Sequence, residues 1–221
     1  PSKINKLVNW ITINNTSVVD NELKLFVRYF LNNGNEEFYI VTIDLNKQQL
    51  LNENLIETIP NDKAVRNHLE LYNQYHHLGY EKYIVYSMTL YNAETEQTNI
   101  ISRQFKALNV ETNEVTSIEL PDGLEINMQS GTVDNNYFIA AYKTGEDTRI
   151  YQYNIGQQRW LDPVIAPHPM KFVNNELNNT YSYNGKFYVL NEMEKDFVLQ
   201  IFDIEKGTTL YEGILSKENA K

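Results

Sequence analysis

Four times along the chain an apolar residue is followed by Asp or Asn, with a further strand residue seven positions after the apolar one. The copies are Ile43-Asp44 with Leu50, Leu108-Asn109 with Val115, Tyr153-Asn154 with Trp160, and Phe202-Asp203 with Thr209. An Asp or Asn in that place can hydrogen-bond the backbone of the turn it opens, so each copy marks a tight hairpin between two strands. The four Asp/Asn positions lie 65, 45 and 49 residues apart. Recurrence on that scale is the mark of a repeat architecture. A second anchor precedes the long strand of each copy in the same phase: Val19-Asp20, Val133-Asp134, Tyr183-Asn184 and, more weakly, Leu78-Gly79.

The segments around these anchors share one grammar of strand, turn, strand, turn, strand. The first runs from Leu23 to Phe30, turns at NNGNEE, continues as FYIVTID and turns again into LLNENLI. The second is KYIVYSMTL, IISRQFKALNV and VTSIEL; the third is NYFIAAY, TRIYQYN and RWLDPVI; the fourth is KFYVLNE, FVLQIFD and TLYEGIL. β-Branched and aromatic residues fill the strands, and Gly, Asn, Asp, Glu and Lys fill the turns. The expected repeats cover residues 19–60, 78–120, 133–169 and 183–215.

This pattern resembles a β-propeller, and the stretch Tyr153 to Trp160, YNIGQQRW, looks like part of a kelch-type blade. The resemblance implies an all-β fold of four propeller-like repeats of antiparallel strands, forming a small or open propeller. At 221 residues, one domain over 1–221 is the expectation. The N-terminal strand, Leu7 to Ile13, is available to pair with the last sheet and protect its edge. The longer first spacing is assigned to an inserted helix over 61–77: Asn61 can cap it after Pro60, and Val65, Leu69 and Tyr72 recur at helical spacing. The polar tail, 216–221, is expected to fray.

With a formal net charge of -10 and 19 scattered Lys and Arg, the chain is a poor ligand for phosphate backbones, so nucleic acid is not expected as a partner. It has no Cys, and therefore no disulfide frame, thiolate nucleophile or Cys-ligated metal. No apolar run reaches the ~20 residues of a spanning helix, so no membrane span is expected within the chain, while an anchor upstream of Pro1 is compatible with the reading.

Catalysis needs convergent titratable groups, and the sequence offers no recognisable set of them. There is no HExxH pair, nucleophile elbow, Walker loop, dinucleotide fingerprint or calcium loop, so no catalytic residue, metal ligand or cofactor is assigned. Acidic pairs such as Glu36-Glu37 and Glu192 with Glu194 are expected at solvated hairpin tips. Candidate binding residues are Tyr75, His76 and His77 at the end of the expected helix, Tyr151 and Trp160 in the third repeat, and His168 in the proline-rich stretch 162–169. Adjacent His76 and His77 serve equally as favourable cations at a helix C-terminus. Seven tyrosines, at 137, 142, 151, 153, 181, 183 and 188, crowd the last two repeats. Each has an apolar body and a polar tip, suited to cross-strand packing or to an aromatic platform for a partner.

The expectation for function is a non-catalytic interaction module, displayed outside a Gram-positive cell or tethered to its surface, binding a protein or a cell-wall glycan through inter-blade loops. The alternatives are a propeller-type glycan-active enzyme using dispersed carboxylates, and an intracellular scaffold subunit. Fold alone does not choose among them.

Overall fold

The computed structural model describes residues 8–62, 64–73, 82–92, 100–124, 131–134, 136–144, 147–168, 170, 172–173, 176–177 and 180–217. These residues form four antiparallel sheets, each a meander in chain order. Sheet 1 is β1 (Val8–Val19), β2 (Glu22–Leu31), β3 (Glu36–Asp44) and β4 (Gln49–Ile59); sheet 2 is β5 (Val65–Leu71), β6 (Tyr83–Asn92), β7 (Ile100–Asn109) and β8 (Val115–Ile118). Sheet 3 is β9 (Gly131–Asp134), β10 (Tyr137–Thr144) and β11 (Asp147–Asn154), with its fourth strand broken into β12 (Arg159–Trp160) and β13 (Val164–Ile165), both paired to β11. A short hairpin, β14 (Phe172–Val173) with β15 (Glu176–Leu177), precedes sheet 4, which is β16 (Thr180–Tyr183), β17 (Lys186–Glu192), β18 (Asp196–Asp203) and β19 (Thr208–Ser216). No helix of the described residues is long and apolar enough to cross a membrane.

The four-fold hairpin anchor does what its chemistry dictates. Asp44 accepts the Asn46 and Lys47 N–H groups, Asn109 those of Glu111 and Thr112, Asn154 that of Gln157, and Asp203 that of Lys206, at 2.9–3.3 Å. The residue seven positions after each apolar anchor is its cross-strand neighbour: Ile43 faces Leu50, Leu108 faces Val115, Tyr153 faces Trp160, and Phe202 faces Thr209. Four residues beyond each Asp or Asn the backbone turns left-handed, at Gln48, Asn113, Gln158 and Gly207, with φ between +52° and +62°. The second anchor forms two-residue hairpins at Asp20-Asn21 and Asn184-Gly185, where both φ values are positive, the backbone twist that matches paired strands.

The chain divides into two compact units, Pro1–Ile118 with sheets 1 and 2 and Glu119–Lys221 with sheets 3 and 4. In the first unit Phe26, Phe38 and Ile40 of sheet 1 pack with Ile84, Tyr86 and Met88 of sheet 2. In the second, Ile139, Ala141 and Ile150 of sheet 3 pack with Phe187, Val189 and Phe202 of sheet 4. Each large side chain so buried contributes about 1.5–3 kcal/mol of transfer free energy, and these inter-sheet cores hold the meanders face to face. Two hydrogen bonds tie polar groups of sheets 3 and 4 together inside the second unit. Asp134 accepts the Gly185 N–H at 3.0 Å, and Thr132 and Ser182 share a hydroxyl hydrogen bond at 3.1 Å.

Three expectations are corrected. The segment expected as a helix is β5 over Val65–Leu71, paired with β6 from Val65 opposite Asn92 to Leu71 opposite Tyr86. The helical spacing of Val65, Leu69 and Tyr72 is also compatible with alternation through Val65, Leu69 and Leu71. The apolar edge of β6, available for pairing, decides between them, because tertiary context overrides a weak periodicity. Asn61 accordingly caps no helix; its N–H donates to Asn35 Oδ1 and its amide to the Asn33 carbonyl. The N-terminal strand is β1 of sheet 1, paired along its length with β2. Glu36 and Glu37 lie inside β3, where Glu36 is ion-paired with Arg28 and buried Glu37 accepts the Tyr39 hydroxyl.

Candidate functional site

Sheet 4 presents two unlike faces because its strands alternate. Phe187, Val189 and Asn191 on β17, with Val198, Gln200 and Phe202 on β18, are buried on the side packed against sheet 3. The other side is carried by the intervening residues. Across all four strands the register places Tyr181, Tyr188, Ile201 and Tyr211 in one row. Beside it run Leu190 opposite Leu199, then Phe197 opposite Leu215. This face is apolar, yet Tyr181 is 44%, Tyr211 51% and Leu215 60% exposed, and Tyr183, two residues along β16, is 55% exposed. Contiguous exposed apolar surface of that kind makes this face the candidate site.

The tyrosines are held in place by their neighbours. The Tyr181 ring stacks on Tyr183 with centroids 6.3 Å apart and planes at 23°, and lies 6.3 Å from the Tyr188 ring. Offset stacking of this kind adds about 0.5–1.5 kcal/mol beyond area burial. On β19 the Tyr211 ring lies across Gly213, where a Cβ would stand only 2.3 Å from the hydroxyl. At one end of the face Lys217 bridges to Glu192 at 2.7 Å and lies 5.1 Å over the Phe197 ring. The result is an ordered surface with a hydrophobic centre and a charged rim, the anatomy of a protein interface.

The candidate residues expected from the sequence fall in three places. Tyr75, His76 and His77 lie outside the described residues. Tyr151 and Trp160 come together on sheet 3, edge to face at 6.4 Å, with Tyr153 at 5.1 Å and Phe138 at 6.4 Å from the same indole. The indole N–H donates to the Glu119 carbonyl at 2.7 Å, and burial, aided by the Glu119 charge, raises the Tyr153 phenol above its ordinary pKa. The cluster pins the broken fourth strand to β11 and is a packing element. His168 lies apart from it, against sheet 4, its Nε2 in close contact with Glu212 Oε1. The buried Gln200 amide bonds both the His168 N–H, at 3.2 Å, and its carbonyl, at 3.4 Å, so His168 fastens the proline-rich stretch onto sheet 4.

No family model matches the sequence, and no curated protein matches it. Among solved structures, the β-propeller domain of the Trilobed protease from Pyrococcus furiosus aligns at 11% identity with a TM-score of 0.48, over 96% of this chain and 58% of that one. TolB from Acinetobacter baumannii aligns at 14% identity and a TM-score of 0.41, over 93% and 44%. Pyrococcus horikoshii acylaminoacyl peptidase aligns at 10% identity and 0.43, over 95% and 33%. The chain thus spans about a third to three-fifths of the length of these three structures. Its own four consecutive antiparallel meanders, each with the same turn before its last strand, decide the architecture. The chain is a β-propeller-like repeat protein.

Several carboxylates of this propeller-like chain have structural work. Asp44 and Asp203 hold turns, Glu36 and Glu57 pair with Arg28 and Lys106, and Glu192 and Glu212 meet Lys217 and His168. Sequence reasoning had singled out Tyr181, Tyr183 and Tyr188 as part of a tyrosine-rich region, without the face on which they stand. It missed Tyr211, which sits alone in its strand and gains neighbours only through the pairing of β19 with β18.

Proposed function

We propose that the chain is a non-catalytic interaction module, and that the exposed face of sheet 4 binds a protein partner. The row of Tyr181, Tyr188, Ile201 and Tyr211 carries this reading: it is wide and apolar, its outer members Tyr181 and Tyr211 are about half exposed, and Tyr188 and Ile201 between them are partly buried. Tyr is enriched at binding hot spots because its flat ring buries much area with little conformational loss. A broad sheet face suits a protein surface better than a single glycan strand, which calls for a groove. A setting outside a bacterial cell, or on its surface, belongs to the same proposal; a cysteine-free, acidic chain with Asn, Lys and Ile in abundance suits it.

The test is photocrosslinking in the encoding organism, with a benzophenone side chain at position 183 and, as control, at Lys47 in the β3–β4 turn. The reading expects one protein adduct from position 183 that is missing from position 47. Adducts only to glycan, identical adducts from both positions, or none at all would overturn it. Protease treatment of intact cells tests the location: the chain should be degraded, and complete protection would contradict surface display.

A further inference from the structure

The first unit contains a cleft of about 320 Å³ between the β2–β3 turn and the segment joining β4 to β5, well away from any residue of sheet 4 in the chain. That volume is at the low end of the ~300–1,000 Å³ of small-ligand sites. Its walls are fixed in advance. Asn61 donates to Asn35 Oδ1 at 2.9 Å and to the Asn33 carbonyl at 3.2 Å, clamping the linker to the turn. The contact is so close that a Cβ at Gly34 would stand 2.3 Å from the Asn61 amide, and Gly34 has a φ of +85°. Arg28 lies 4.4 Å over the Phe30 ring and holds Glu36 through two bonds to Oε2.

The lining leaves polar capacity unused. Glu36 Oε1 takes part in no hydrogen bond among the described residues, and Asp62 uses Oδ1 for the Ala64 N–H, leaving Oδ2. Arg66, exposed at the rim, has no ion-pair partner among the described residues. Asn67 Oδ1 is buried with no hydrogen-bond partner among the described residues, a costly condition for an amide. Ile59 and Pro60 supply an apolar wall. Of the two lining carboxylates, Glu36 is neutralised by its ion pair with Arg28 behind the wall and Asp62 is offset by Arg66 at the rim, so among the described residues neither an anion nor a cation is favoured. Donors and acceptors side by side, with an apolar wall, match a ligand whose groups both donate and accept: hydroxyls on a compact carbon ring.

We propose that this cleft is a binding site for a neutral polyhydroxylated ligand of monosaccharide size, recognised by Asn67, Asp62, Glu36 and Arg66. The site stands independently of the sheet 4 face. Amide NMR of the whole chain titrated with glucose, galactose, mannose and N-acetylglucosamine, with glucosamine and glucuronate as charged controls, tests it. At least one neutral sugar should shift the Asn61 and Asn67 resonances with a Kd of about 1 mM or below, a free energy near 4 kcal/mol. Asn67→Leu should weaken that binding about tenfold or more with the melting temperature unchanged or raised, since it removes an unpaired buried amide. Arg66→Gln, on the exposed rim, gives a second variant that keeps the fold if Asn67→Leu does not. No shift with any neutral sugar at concentrations tenfold above that Kd, tighter binding of either charged control, or binding indifferent to both substitutions would overturn the proposal.

Discussion

If the left-handed residue of each repeated turn is a requirement of the hairpin, then glycine should improve the turns that lack it. Gln48 and Gln158 hold φ of +53° and +52°, and both are exposed, with no side-chain hydrogen bond among the described residues. A non-glycine residue pays about 1–2 kcal/mol in this region, whereas glycine's extra freedom in the unfolded chain costs about 0.4–1 kcal/mol. The balance for Gln48→Gly and Gln158→Gly is therefore a gain of about 0.5–1 kcal/mol each. The two lie in different units, so the double variant should gain about 1–2 kcal/mol, near 2–8 °C in melting temperature for a chain of this length. The reverse substitution sharpens the argument. A Cβ at Gly207 would meet Val164 at 3.6 Å and Gln152 at 3.7 Å, ordinary contacts. Gly207→Ala should thus lose about 0.5–1 kcal/mol from backbone strain alone. Urea or thermal denaturation of the three variants against the parent reads all of this. A loss of stability in either Gln→Gly variant, or a gain from Gly207→Ala, would show that the hairpin does not depend on a left-handed residue at this position.

Two other predictions concern the interior. Gln152 is fully buried, and neither of its amide atoms has a hydrogen-bond partner among the described residues, so Gln152→Leu should raise stability by about 1–3 kcal/mol in urea denaturation; a comparable loss would contradict this. Burial raises the phenols of Tyr39, Tyr72 and Tyr86 above the ordinary value of 10.0, helped at Tyr39 by Glu37 and at Tyr86 by Glu57. A group whose folded pKa is raised contributes stability that is complete below its unfolded pKa and is lost as pH rises through that value towards the folded one. The protein should therefore lose stability progressively above pH 10.0, with these phenols ionising only as it unfolds. Phenolate absorbance that is complete while circular dichroism remains native would contradict this.

Local chemistry made the repeat legible. Asp44, Asn109, Asn154 and Asp203 act within a few residues of themselves, so their turns and the pairing seven residues apart can be read directly. The inserted helix was misread because residues 61–77 satisfy two periods at once, and only the strand waiting in β6 chooses between them. The binding face was hidden for a different reason. Strand β18 reads Phe197 to Phe202 as nearly continuous apolar residues on both sides, so alternation cannot say which side is covered. That is set by sheet 3, which buries Val198, Gln200 and Phe202 and leaves Phe197, Leu199 and Ile201 on the other side.

In the function proposed above, the tyrosine-lined face of sheet 4 is where the chain binds. The most direct test is the affinity of the Tyr181→Ser/Tyr211→Ser double variant for the protein crosslinked from position 183, measured calorimetrically beside its melting curve. Both side chains are about half exposed, so the fold should survive with a melting temperature within a few degrees of the parent, while the loss of two aromatic anchors at about 2 kcal/mol each should weaken binding about 1,000-fold. A folded double variant that binds its partner as tightly as the parent would contradict the claim.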